Sequence, residues 1–295
     1  MIAAAARALK QPVYWAAAVI FWWLYLAIRH AFSFAHPSRR FSFLQPEDAE
    51  FKNIPFKSRD GLELFGRFIP SRNRATIILA HGLGRSGNDL ILLARLLVQA
   101  GYGVFVIDLR AHGKSHGDTS TFGLREGDDV AGAVDYLLTR IDVHGDKIGA
   151  FGVSLGAQAV LRGALKTDRI HALALDGLGP STLNDHGGRP QSLIRWVNYP
   201  FNWVYYFIYQ FMIGGRDKGV IEVIGEIMPC PIFFIAGGEK DIYFSRLFYQ
   251  AAREPKELWE LPDAQHAGGL VQNPQEYMRR LISFFEKSLN VKEGR

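Results

Sequence analysis

The sequence has almost no cysteine, no acidic residue at its front and no P-loop or metal-ligand signature. Its one cysteine in 295 residues, Cys230, lies between two prolines and permits neither an intramolecular disulfide nor a cysteine-based zinc site. Cys230 stands outside any Cys–His pattern, so it reads as a small apolar residue leading into a strand rather than as a thiol nucleophile. No P-loop and no clustered ligand set occurs, and the chemistry sketched below needs no metal, nucleotide or redox cofactor. Internal repeats and low-complexity tracts are also missing. Residues 1–45 contain Arg7, Lys10, Arg29, Arg39 and Arg40 but no Asp or Glu. That segment accounts for the whole net charge of +5, because the remainder holds 29 basic and 29 acidic residues. A neutral body argues against a nucleic-acid partner. Basic residues flanking an apolar stretch are instead a membrane signature.

Charge is missing most conspicuously between Lys10 and Arg29, where 18 uncharged residues run QPVYWAAAVIFWWLYLAI. As a helix they extend about 27 Å, close to the roughly 30 Å hydrocarbon core of a bilayer. Tyr14, Trp15, Trp22, Trp23 and Tyr25 add aromatic residues of the kind found in membrane helices. The expectation is a single-pass anchor and linker over residues 1–45, ahead of one body over 46–295. A cleaved signal peptide is the rival, with Arg7 and Lys10 as its basic region and Ser33-Phe34-Ala35 as small-residue cleavage positions. Basic residues are balanced on the two sides of the stretch, so the positive-inside rule assigns no orientation.

The body is 48% apolar and 21% charged across the chain, which fits a globular domain and not a multi-span membrane protein. Strand-like and helix-like stretches alternate along it. Residues 51–57 and 62–69 read as a hairpin turning at Asp60-Gly61. Buried strands are expected at 75–80, 103–108, 147–152, 170–176 and 231–236, with a further strand at 256–261. Helices are expected near 90–99, 125–140, 155–166 and 274–288. Such repeated strand–helix units imply an α/β fold with a mostly parallel sheet covered on both faces. Residues 178–228 break the rhythm, being far longer than an ordinary connection. Within them, 196–215 (WVNYPFNWVYYFIYQFMIGG) carries no charge and is crowded with aromatics. A helical lid insertion shaping an apolar pocket is the expectation. Asn198, Pro200, Asn202 and Gln210 make it a poor second membrane span.

Gly152-Val153-Ser154-Leu155-Gly156 has the form G-x-S-x-G, with a buried strand leading in and a helix leading out. A serine on that turn exposes its hydroxyl, and the flanking glycines let strand and helix approach closely. An alcohol is a weak nucleophile at neutral pH, so it needs a base, and the base needs an orienting acid. Of nine histidines, His266 alone lies in a polar, glycine-rich loop between the last strand and the last helix. His81 and His112 sit beside glycines in tight loops and suit backbone hydrogen bonding. For the acid, Asp241 follows the strand PIFFIA through Gly-Gly-Glu-Lys, giving the order Ser, Asp, His; Glu239 and Asp176 compete with it. Developing oxyanion charge needs preorganised N–H donors. Leu155, at a helix start, and Leu83, in the loop His81-Gly82-Leu83-Gly84, are the expected ones.

HGLG (81–84), DLRAHGKSHG (108–117), GVSLG (152–156), GGEKD (237–241) and QHAGG (265–269), in that order, resemble the α/β-hydrolase superfamily, and in particular its membrane-anchored esterase, lipase and thioesterase-like members. The resemblance covers about residues 51–290. It implies an eight-stranded sheet with the second strand antiparallel, catalysis without a cofactor, and a triad of Ser154, Asp241 and His266 with Leu83 and Leu155 as the oxyanion hole. One departure stands out: Ala111 replaces the first glycine of the family's D-x-R-G-H-G run. The substrate so implied is a small-molecule or lipid acyl ester or thioester. A serine peptidase of the same fold and a non-catalytic binding module remain as alternatives.

Overall fold

Continuous apolar runs need both faces covered, and in the computed structural model they lie at the centre of one sheet. The structure describes residues 12–39, 51–186, 193–215, 218–227 and 229–291. Eight strands run in chain order: β1 (Lys52–Lys57), β2 (Glu63–Ile69), β3 (Thr76–Ala80), β4 (Gly103–Asp108), β5 (Ile148–Val153), β6 (Ala172–Asp176), β7 (Ile232–Gly237) and β8 (Lys256–Leu261). Every residue of β3, β4, β6 and β7 is buried, whereas the edge strands β1 and β8 are largely exposed or half-buried. The spatial order is β1-β2-β4-β3-β5-β6-β7-β8. β2 pairs antiparallel with both β1 and β4, and every later pairing is parallel. The α/β architecture and the lone antiparallel second strand are as the motifs implied.

Helices α1 (Pro12–Ala35), α2 (Ile91–Gln99), α3 (Glu126–Leu138), α4 (Leu155–Ala164), α5 (Leu193–Met212), α6 (Val220–Val223), α7 (Gly238–Ala251), α8 (Gly269–Gln272) and α9 (Pro274–Ser288) complete the described chain. One core joins α3 and α4 to the sheet through Val130, Val134, Val160 and Leu161. A second covers the opposite face with Leu93 and Leu97 of α2 and Leu281 and Phe285 of α9. The amphipathic α9 begins at Pro274, and the Asn273 side chain accepts from the Glu276 N–H as its cap.

One element departs from the sequence reading. The Gly-Gly-Glu-Lys stretch after β7 is no loop: it opens α7, which places Asp241 in a helix's first turn. It opens on Gly-Glu-Lys-Asp, and its buried face mixes Ile242, Phe244 and Phe248 with Asp241 and Ser245, so the start of the helix carries no apolar period. Among the described residues the long insertion contains one long helix, α5, which keeps Pro200 inside it, and the short α6. Residues 40–50, which hold the expected linker, lie outside the described residues.

Among the described residues one helix, Val13–Ala35, is long and apolar enough to cross a membrane, which suits an anchor or a signal peptide. Most of its side chains are exposed. The exception is a stripe of Ala27, Ala31 and Ala35, and the last two pack on Tyr209 and Ile213 at the end of α5.

Candidate active site

The carboxyl ends of β3, β5, β6, β7 and β8 share one edge of the sheet, and loops from each of these strands build the site. Ser154 follows β5 directly and stands at φ 53°, ψ −108°, a conformation rare for a side chain with a Cβ. Its N–H donates to the carbonyl of Asp176, 2.8 Å away, which locks the turn against the end of β6. A Cβ on Gly152 would collide with the Gly156 carbonyl, and one on Gly156 with the Ala80 carbonyl. Glycine at both positions is what lets α4 leave the sheet so abruptly.

His266 Nε2 lies 3.1 Å from Ser154 Oγ. Its Nδ1 lies 2.8 Å from each oxygen of Asp241, which is 5% exposed. The hydrogen bond to Asp241 raises the His266 pKa above the ordinary 6.5, against the opposing effect of burial. Glu239 projects into solvent from the same turn of α7. Thus Ser154, His266 and Asp241 come together, and Glu239 does not join them. Asp176 is also close: fully buried, it accepts from the Tyr277 hydroxyl at 2.6 Å, and its Oδ1 has no hydrogen-bond partner among the described residues. Burial, reinforced by repulsion from Asp241, pushes its pKa up to about 7.

Gly177 escaped the sequence reading. Its φ is +64°, and a Cβ there would stand 2.9 Å from His266 Cε1 and 3.3 Å from Asp241 Oδ2. Only glycine leaves room for the imidazole at that point. The signal was available, since a glycine directly follows a buried strand ending in aspartate.

The loop carrying Leu83 lies against the nucleophile: a Cβ on Gly82 would be 3.6 Å from Ser154 Cβ. Leu155 is the first residue of α4, where N–H groups have no intrahelical acceptor. Two buried histidines hold the Leu83 loop in shape. His112 Nε2 accepts from the Gly84 N–H at 3.0 Å, and His81 Nε2 accepts from the Leu109 N–H at 3.1 Å. Both rings are therefore neutral, with Nδ1–H donating to Arg110 O and Gly82 O respectively. Burial pushes the His112 pKa down to about 4 and lowers that of His81 as well. Asp108 Oδ1 accepts from the Gly87 N–H at 2.7 Å, which stitches the 81–87 and 108–117 loops together. The stretch Gly82–Gly87 also has the G-x-G-x-x-G spacing of a dinucleotide loop, but it packs on Ser154 and leads into a 3₁₀ turn at Gly87–Leu90. At Ala111 φ is +61°, a conformation that suits glycine better than a residue with a Cβ.

A cavity of about 840 Å³ opens above Ser154 and His266. One side of it is aromatic, with Phe122, Phe201, Tyr205 and Tyr206 from the body and insertion and Phe34 from α1.

The family model for the alpha/beta hydrolase fold matches residues 75–216. The eight-stranded, mostly parallel sheet is in keeping with that fold. The chain has the α/β-hydrolase fold. It is 28% identical to the uncharacterized protein YfhR of Escherichia coli K12 over 92% of this chain and 93% of that one. It is also 25% identical to the alpha/beta hydrolase domain-containing protein WAV2 of Arabidopsis thaliana, over 80% and 79%. Among solved structures, the esterase Pf2001 of Pyrococcus furiosus superposes with a TM-score of 0.69 at 26% identity, covering 87% of this chain and 98% of that one. The α/β-hydrolase fold and this esterase neighbour together support hydrolase activity in general.

Proposed function

We propose that this α/β-hydrolase-fold chain is a membrane-anchored serine hydrolase that cleaves carboxylic ester or thioester bonds of apolar acyl substrates. The observation that carries the reading is the strained Ser154, with its Oγ 3.1 Å from a His266 whose other nitrogen meets buried Asp241. In this reading His266 Nε2 takes the Ser154 hydroxyl proton as Oγ attacks the substrate carbonyl. The N–H groups of Leu83 and Leu155 receive the oxyanion, each such donor being worth roughly 3 kcal/mol in a transition state. His266 then protonates the leaving alcohol or thiol, and a water activated by the same nitrogen releases the acid. The mechanism needs no cofactor. The aromatic cavity supports an apolar acyl group, and residues 178–228 act as the lid over it. The apolar N-terminal helix supports an uncleaved anchor over 1–45 with the body at 46–295: Ala35 at its end is buried, and the Ala35 carbonyl accepts from the Ser120 N–H at 2.7 Å.

Detergent-solubilised protein treated with a fluorophosphonate probe tests the reading. Wild type is expected to label and Ser154→Ala is expected not to. Folded wild type that fails to label would overturn the enzyme reading and favour a binding module on this scaffold.

A further inference from the structure

Helix α1 is built into the cavity as well as into the N-terminus. Phe34 and His30 both line the space above Ser154. The Phe34 ring centroid lies 5.9 Å from that of Phe122 and 6.0 Å from that of Tyr205, and His30 lies 5.2 Å from Tyr205. Ser120 fixes the junction from the body side. Its N–H donates to Ala35 O, and its carbonyl accepts from the Tyr209 hydroxyl at 3.2 Å. Just beyond, Arg39 donates to the carbonyls of Gly113 and Ser115 at 3.1 and 2.6 Å. The end of the apolar helix is thus clamped to the catalytic body rather than tethered by a loose linker.

The pairing between α1 and α5 sets the depth of the lid. Trp23 meets Phe201 edge-on at 5.9 Å, His30 meets Tyr205, and Ala35 packs near Tyr209, so the two helices run side by side in the same direction. At 1.5 Å per residue, Trp23 stands about 18 Å along the axis from Ala35, more than half the thickness of a hydrocarbon core. A helix paired with α1 over that distance lies at the same depth. The free face of α5 agrees: Trp203, Phe207 and Phe211, one turn apart, are exposed, as are Ile28 and Phe32 on α1. Such a continuous apolar surface is stable against lipid and not against water.

We propose that α5 pairs with the Trp23–Ala35 half of the spanning helix α1 within one leaflet, that Phe34 and His30 are acyl-specificity residues, and that the substrate is an acyl ester drawn sideways from the bilayer. This rests on the serine hydrolase reading. The chain's apolar end is held among Phe34, Phe122 and Tyr205, while its carbonyl reaches Ser154 at the polar floor.

The test uses the full chain in phosphatidylcholine vesicles, with fluorophosphonate labelling of Ser154 recorded for every variant. Phe34→Trp narrows the cavity and is expected to lower the decanoyl-to-butyryl ratio of kcat/KM at least tenfold. Phe34→Ala widens it and is expected to move the optimum at least two carbons longer. Phe21→Ala, on the exposed face of α1, should leave the ratio as in wild type. A long-chain fluorogenic ester placed in the same vesicles as the enzyme is expected to turn over at least tenfold faster than one in separate vesicles. Labelled Phe34 variants with the wild-type ratio would overturn the pocket role, and equal rates in the two vesicle arrangements would overturn delivery from the bilayer. Wild type that does not label would instead remove the serine hydrolase reading, and this proposal with it.

Discussion

At the scale of single residues, the proposed chemistry turns on one carboxylate. Asp241 raises the His266 pKa through its hydrogen bond, and Asp176 behind it adds a smaller contribution in the same direction. The base works only when neutral, so activity should rise with pH through that elevated pKa and be lost below it. Asp241→Asn removes the charge and leaves a neutral side chain in its place. kcat is then expected to fall by about four orders of magnitude, the scale seen when an imidazole loses its orienting acid. The acid limb of kcat/KM should also shift to lower pH, and a pH–rate profile measures both effects. An unchanged limb would mean that another group, with Asp176 the nearest, orients His266. Chain order does not separate Asp241 from Asp176, since both fall between Ser154 and His266; the sequence favours Asp241 only by its place just after the strand PIFFIA. Gly177 was not legible, because its role depends on how close the imidazole comes to the backbone once folded.

At the scale of elements, the buried strands and the last helix were plain because burial on both faces writes itself as unbroken apolar residues, and burial on one face as a 3.6-residue period. α7 escaped because Gly237 and Gly238 stand at its cap and first residue, where a turn is the usual reading. α5 was legible as a helical insertion, and Pro200, which counted against a second membrane span, lies inside the helix. Strand and helix come very close where α4 leaves the sheet, with Gly156 against the Ala80 and His81 carbonyls. Gly156→Ala forces strand and helix apart. Overpacking of this kind costs about 1–3 kcal/mol. Thermal or urea unfolding should show that loss. Because Leu155 and Ser154 would shift together, fluorophosphonate labelling should slow as well. Full labelling speed with lowered stability would separate the close approach from the geometry of the serine.

At the scale of the whole molecule, the uncharged stretch lies in a helix that packs against the body, α1 running along α5, which composition alone could not reveal. The basic flank reads as a membrane signature, yet Arg39 spends its guanidinium on the carbonyls of the loop at 113–117. That loop is tied in turn to the Leu83 loop through Asp108 and His112. A cut after Ala35 would separate Phe34 from the cavity and the buried alanine stripe from α5, exposing Tyr209 and Ile213. Two of the positions that satisfy a signal-peptide pattern, Phe34 and Ala35, are therefore ones the fold packs against its body. Protein recovered from the membrane fraction should still contain residues 1–35, as mass spectrometry of its peptides can show, and alkaline washing should not release it. A soluble, active form beginning at His36 would reverse the conclusion, because a cavity lacking Phe34 and His30 would then suffice for the reaction.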